Sequence, residues 1–115
     1  MNNIGRGIYG EKLAADYLKK HGYTILERNY KVPYGEIDII ASKNKCISFI
    51  EVKSRWTLAN GMPSEAVNLA RQRRYINAAD SYIATLGYPD VDYRFDVIEI
   101  VGDKDINLIE DAFRV

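Results

Sequence analysis

The chain has 115 residues, 47% hydrophobic and 28% charged, with sixteen Lys/Arg against sixteen Asp/Glu and so no net charge. That length suits one domain, residues 1–115, with a sizeable core; the composition excludes a disordered or fibrous chain, and no apolar run approaches the ~20 residues of a membrane span. The start, Met1 to Gly7, lacks the apolar stretch of a signal peptide, and the single cysteine, Cys46, cannot form an internal disulfide, so a cytoplasmic protein without membrane contact is expected.

Taken in chain order, Ile8–His21 predicts a helix, with Leu13 and Tyr17, and Ala14 and Leu18, at i,i+4 and Gly22 placed to cap it. Glu11 lies in its early turns, where a glutamate is either a solvated, dipole-favoured charge or part of a site. Gly7 and Gly10 would let this helix lie close to a sheet or merely loosen its start. Tyr23–Val32 reads as a strand, and Pro33-Tyr34-Gly35 as a turn. Two β-branched segments follow, around Gly35–Ile40 and Ile47–Arg55, joined by the turn-like Ser42-Lys43-Asn44-Lys45, which predicts an antiparallel hairpin. Trp56–Met62 is a loop, either in contact with substrate or a lid over the core. A second helix runs from Pro63 or Ser64 toward Leu86, with Gly87 at its end. Tyr93–Val101 predicts a strand, and Ile106–Ile109 a short final one after Gly102-Asp103.

The hairpin carries charge where buried strand is expected. A register centred on Asn44 and Lys45 sets Asp38 opposite Glu51 and Glu36 opposite Lys53, and like charges facing each other across a ladder are destabilising. A divalent cation, Mg²⁺ or Mn²⁺, would hold the two carboxylates together, since such ions take carboxylate oxygens and commonly bridge to substrate phosphates. Lys53 shares the Glu51 face, where an ammonium would offset charge developing on a phosphate. Residue types in this pattern therefore point to phosphodiester hydrolysis.

Elsewhere, Arg71, Arg73 and Arg74 flank Gln72 on the second helix, either as phosphate contacts or as a solvated face or ion-pair partners. Arg94 and Asp96 share a strand face and are expected to pair. His21, the only histidine, sits at a helix end, where a dipole contact is expected. Tyr9, Tyr17 and Tyr82 are expected in the core. A Ser-His-Asp hydrolase is disfavoured, because His21 is alone and no Gly-x-Ser-x-Gly turn appears, and a Walker-type phosphate loop and paired Cys/His clusters for zinc are absent from the sequence. Zero net charge argues against tight nucleic-acid binding, but residues 1–56 carry ten Lys/Arg against six Asp/Glu, and residues 89–115 three against eight. The half bearing the hairpin is thus the basic half.

Asp38 followed by Glu51-Val52-Lys53 resembles the (P)D-(D/E)xK signature of the restriction-endonuclease-like superfamily, with Ile37 in place of the usual proline. Gly10-Glu11, Arg28-Asn29-Tyr30, Gly35-Glu36-Ile37-Asp38, Glu51-Val52-Lys53-Ser54-Arg55 and Arg94-Phe95-Asp96-Val97, in that order, resemble the YraN-like family of uncharacterised bacterial proteins. That family is similar in layout to archaeal Holliday-junction resolvases. The resemblance implies an α/β restriction-endonuclease-like fold, with a mixed central sheet of four to five strands flanked by helices. It implies Asp38, Glu51, Lys53 and Glu11 as catalytic residues, with Asp38, Glu51, Glu11 and the Val52 carbonyl holding the metal. Arg55, Arg71, Gln72, Arg73 and Arg74 become nucleic-acid contacts, with Glu36, Arg28 and Arg94 in support. The expected activity is metal-dependent cleavage of DNA, branched or damaged, for which a homodimer would supply two symmetric sites. The alternatives are a catalytically weak nucleic-acid-binding module of the same fold, and a structural protein in which Asp38, Glu51 and Lys53 form an internal salt-bridge cluster.

Overall fold

The computed structural model describes residues 3–55, 69–102 and 105–113, with side chains for 9–54, 69–102 and 105–113. Helix α1 (Asn3–Lys20) starts five residues before the predicted point. It ends where expected: Gly22 N–H donates to the Lys19 carbonyl at 3.2 Å and Tyr23 N–H to that of Leu18 at 2.9 Å, with Gly22 at φ +88°. This pair of hydrogen bonds around a left-handed residue satisfies the last carbonyls of the helix, and glycine adopts that conformation without strain.

Strands β1 (Thr24–Val32), β2 (Gly35–Lys43) and β3 (Cys46–Arg55) follow as an antiparallel meander. Asn44 and Lys45 have φ of 51° and 62°. Left-handed conformation at both central residues matches the twist of the flanking strands, and it sets the predicted register, from Lys43↔Cys46 to Ile39↔Ile50. The chain then crosses over through α2 (Leu69–Thr85) to β4 (Asp92–Val101), which runs parallel to β3. The predicted start of this helix at Pro63 or Ser64 and the predicted Trp56–Met62 loop lie outside the described residues. A second glycine cap closes α2, with Gly87 N–H donating to the Ala84 carbonyl and Tyr88 N–H to that of Ile83, both at 3.1 Å. Strand β5 (Asp105–Phe113) spans nine residues where four were predicted. The sheet order is β1-β2-β3-β4-β5, with only β3 and β4 parallel, which makes a mixed five-stranded sheet compatible with a restriction-endonuclease-like fold.

The two helices cover opposite faces, so α2 is not packed beside α1. On one face, Ala14, Ala15 and Leu18 of α1 meet Ile39, Ala41, Ile50, Ile98 and Ile100. On the other, Tyr75, Ala78, Ala79 and Tyr82 of α2 meet Ile37, Ile40, Ile47, Phe49 and Phe95. Period-two alternation along β3 explains this division, since Phe49 and Ile50 point to different layers. Tyr9, expected in the core, is exposed, whereas Tyr82 is buried and Tyr17 is packed at the core margin.

Two close approaches seat the helices. A Cβ on Gly10 would collide with Ser54 Oγ, and one on Gly35 with the Arg74 carbonyl oxygen, so glycine lets α1 lie against β3 and the start of β2 lie against α2. Both contacts fall at the end of the sheet that carries Asp38.

Candidate active site

Beyond Ile39↔Ile50 the β2–β3 ladder stops, although the register would next set Asp38 against Glu51. On the other side of β2, the pairs Arg28↔Ile39 and Tyr30↔Ile37 bracket Asn29 and Asp38, and Asn29 has φ 53°. Asparagine tolerates that left-handed geometry better than most residues. Alternation breaks at this point, and Ile37 joins the same core as Ile40, three residues on. In place of a backbone partner, the Val52 N–H donates to Asp38 Oδ2 at 2.8 Å. A strand residue carries its N–H and C=O toward one edge, so the Val52 carbonyl faces the same gap between the strands.

Glu51 is the most deeply placed acid of the site, 2% exposed. Its Oε1 lies 3.1 Å from Arg71 Nη2 and 3.9 Å from Lys53 Nζ. Its Oε2 is buried without a hydrogen-bond partner among the described residues, and so is Oε1 of Glu11, reaching in from α1. Burial pushes the Glu51 carboxyl above its ordinary pKa, against the pull of Lys53 and Arg71. Asp38 is pushed up to about 6, first by burial; the Val52 N–H opposes the shift, while Glu11, Glu51 and Glu36 add to it by charge repulsion. Burial is thus the main cause for both acids, and repulsion from neighbouring carboxylates adds to it only at Asp38. Of the two readings of Glu11, the buried oxygen and its repulsion on Asp38 favour the site over a solvated helix charge.

Around these acids, Arg74 Nη2 lies 3.5 Å from Glu36 Oε1, and Glu36, Arg71, Arg74 and Tyr75 line a pocket of about 20 Å³, room for one water-sized group. Two larger hollows, of about 640 and 530 Å³, open around Cys46 at the opposite end of the sheet, away from the acids. The chemistry, not the cavity size, marks the site.

Not every predicted residue converges here. Arg28 is exposed on edge strand β1, opposite Ile39. Arg94, expected in support of the site, stands level with Ser48 instead and serves a separate cluster. Its Nε donates to Asp96 Oδ1 at 2.8 Å and Oδ2 at 3.0 Å; its Nη2 reaches the Tyr23 hydroxyl at 2.9 Å and Ser48 Oγ at 3.3 Å; its Nη1 lies 3.3 Å from Glu110 Oε2. Asp96, fully buried, also accepts the Asp111 N–H at 2.9 Å, where β4 and β5 slip register. The expected Arg94–Asp96 pair is therefore present, with a structural role. His21 Nδ1 lies 2.8 Å from the Tyr17 carbonyl at the helix end, as predicted. Arg73 is exposed on α2, and the side chain of Arg55 is outside the described set.

The sequence pattern of uncharacterised protein family UPF0102 matches residues 10–100, a span that includes every acid of this site. The chain belongs to that family. A UPF0102 protein of Clostridium acetobutylicum is 46% identical over 118 residues, covering 98% of this chain and 97% of the relative. One from Clostridium perfringens is 48% identical over 118 residues, with the same coverage of both chains, and one from Chlorobium phaeobacteroides is 47% identical over 117 residues, covering 94% and 92%. UPF0102 is the YraN-like family that the ordered motifs resemble.

In this UPF0102 chain the donors available to a metal are all oxygens, from Asp38, Glu51, Glu11 and the Val52 carbonyl, which is the set a hard divalent cation takes. Two buried carboxylate oxygens without partners fit that role. Among the described residues, no three His, Cys, Asp or Glu side chains close up far enough to hold an ion by themselves. Sequence reasoning missed two neighbours. Tyr75, buried in the α2 core, donates its hydroxyl to Asp38 Oδ2 at 3.5 Å; an aromatic on an amphipathic helix carried no signal beyond packing. Glu99, 3% exposed, stands level with Lys53 across the parallel pair; a charge inside the apolar run Phe95–Val101 was the signal available. No helix among the described residues is long and apolar enough to cross a membrane.

Proposed function

We propose that this protein is a metal-dependent endonuclease that hydrolyses phosphodiester bonds in DNA, branched or damaged forms included. What supports the reading is that the β2–β3 pairing ends just before Asp38 and Glu51, that Glu11 and Glu51 both act on Asp38 by charge repulsion, and that one oxygen each of Glu51 and Glu11 is buried without a hydrogen-bond partner among the described residues. A Mg²⁺ or Mn²⁺ ion held by Asp38, Glu51, Glu11 and the Val52 carbonyl would polarise the phosphoryl oxygen and activate the attacking water. The remaining roles belong to the chain itself. The Val52 N–H and the Tyr75 hydroxyl fix the orientation of the Asp38 carboxylate. Lys53, held near Glu51, presents an ammonium to charge developing on the phosphate. Arg71 and Arg74, more than half exposed at the rim, meet the flanking phosphates.

Calorimetry of Mg²⁺ and Mn²⁺ on the wild type and on Asp38→Asn, followed by incubation with duplex, single-stranded and four-way-junction DNA, tests the proposal. Metal binding and cleavage that both vanish in Asp38→Asn support it. One observation favours a second reading, a binding module of the same fold with little activity: Glu51 already has Arg71 and Lys53 as counter-charges. Absence of metal binding alongside DNA affinity unaffected by Asp38→Asn would replace the nuclease with that module.

A further inference from the structure

Tyr34 is 80% exposed, the most exposed large hydrophobic side chain among the described residues. Single exposed aromatics are ordinary on protein surfaces. What sets Tyr34 apart is the rigidity beneath it and the charge beside it. It sits in the β1–β2 turn, at the end of the sheet that carries Asp38. Its carbonyl accepts a hydrogen bond from Asn77 Nδ2 at 3.4 Å, and the next residue, Gly35, is wedged against the backbone of α2 at Arg74 and Ala78. The ring stands in solvent on a clamped base.

One edge of α2 connects that ring to the acids. Arg71 reaches Glu51, Arg74 reaches Glu36, and Asn77 holds the Tyr34 turn, at steps of three residues. Six residues of helix span ~9 Å. A stacked strand advances about 3.4 Å per phosphate, so roughly two to three nucleotides laid along Arg71 and Arg74 would place a base at Tyr34. In a continuous duplex the faces of internal bases are covered by their neighbours, and a protein meets only edges in the grooves. An aromatic face pairs with a base face only where the nucleotide is unpaired.

Resting on the nuclease reading above, we infer that Tyr34 is a stacking platform for an unpaired base, and that the substrate of this site is a nucleic-acid strand single-stranded next to the phosphate to be cut. The cationic edge of α2 tracks the backbone and the ring takes a base face, a division of labour that tolerates any sequence.

The test measures fluorescence anisotropy of short labelled single strands, DNA and RNA, and of a blunt duplex of the same sequence. Divalent metal is left out so that nothing is cut. Tyr34→Ala should weaken single-strand binding roughly 5- to 100-fold, the loss of one aromatic stack, and leave duplex binding unchanged. Tyr34→Trp should keep the affinity and show quenching on single-strand binding beyond that of the native Trp56. Equal losses on both ligands, or no loss on either, would overturn the inference, as would absence of single-strand binding by the wild type. Tyr34-dependent binding without cleavage in metal would sink the nuclease reading alone; cleavage with binding indifferent to Tyr34 would sink this inference alone.

Discussion

Asp38→Asn should stabilise the metal-free protein at pH 8 and leave it unchanged at pH 4. Burial and three neighbouring carboxylates lift the Asp38 pKa from its ordinary 3.8 to about 6. Between those values the folded protein holds a proton that the unfolded chain has released, so stability falls as pH rises through this window. Above about pH 6 the full penalty of a charged Asp38 remains. A shift of about two units corresponds to ~3 kcal/mol, which partial solvation of the side chain reduces to roughly 2 kcal/mol. Asparagine removes the charge yet keeps an oxygen to accept the Val52 N–H. For a chain of this size the gain is a rise in Tm of roughly 8 °C. Thermal unfolding followed by circular dichroism, on both proteins at pH 8 and pH 4 in chelator, reads it directly. A lower Tm for the variant at pH 8, or an equal gain at both pH values, would refute the reasoning, because either would mean that burial of a charged Asp38 beside other carboxylates is not what the substitution relieves.

Lys53→Met should abolish cleavage, by at least ~10²-fold in rate, with a modest loss of stability, since Glu51 keeps Arg71 at 3.1 Å; a loss of roughly 3–5 kcal/mol in denaturant titration would instead favour an internal salt-bridge cluster. Arg94→Met should cost roughly 3–5 kcal/mol, because it strands fully buried Asp96, and should leave metal affinity unchanged in calorimetry. Gly35→Ala should destabilise by roughly 1–3 kcal/mol, as its Cβ meets the Arg74 carbonyl, a backbone atom that cannot swing aside. Gly10→Ala should cost less in the same melts, because the obstacle there is the exposed Ser54 side chain, so equal losses for the two would contradict this account.

Much of the site was legible before any fold was known, because strand and helix periodicities are local. Asn44 and Lys45 in a two-residue turn dictate the pairing of β2 with β3 as far as Ile39↔Ile50, which points Asp38 toward Glu51, and strand alternation puts Lys53 on the Glu51 face. Gly22 and Gly87 mark helix ends by a backbone conformation that few other residues accept. The Arg94–Asp96 pair is likewise a matter of two residues on one strand face.

What tertiary structure decided are the contacts between elements distant in sequence. In sequence Arg71 is one of a cluster open to phosphate contact, solvation or an ion pair with an unnamed partner, and only the crossover that lays α2 over β3 brings it to Glu51. Tyr75 looks like core until the same packing delivers its hydroxyl to Asp38. Glu99 gains meaning only from the parallel pairing of β3 with β4, a join that no turn specifies. The strand and turn patterns that place Asp38, Glu51 and Lys53 are written in neighbouring residues. The burial that raises the Asp38 pKa, and the choice of which cation answers which acid, depend on how α1, α2 and β4 close around them, and so belong to the folded chain as a whole.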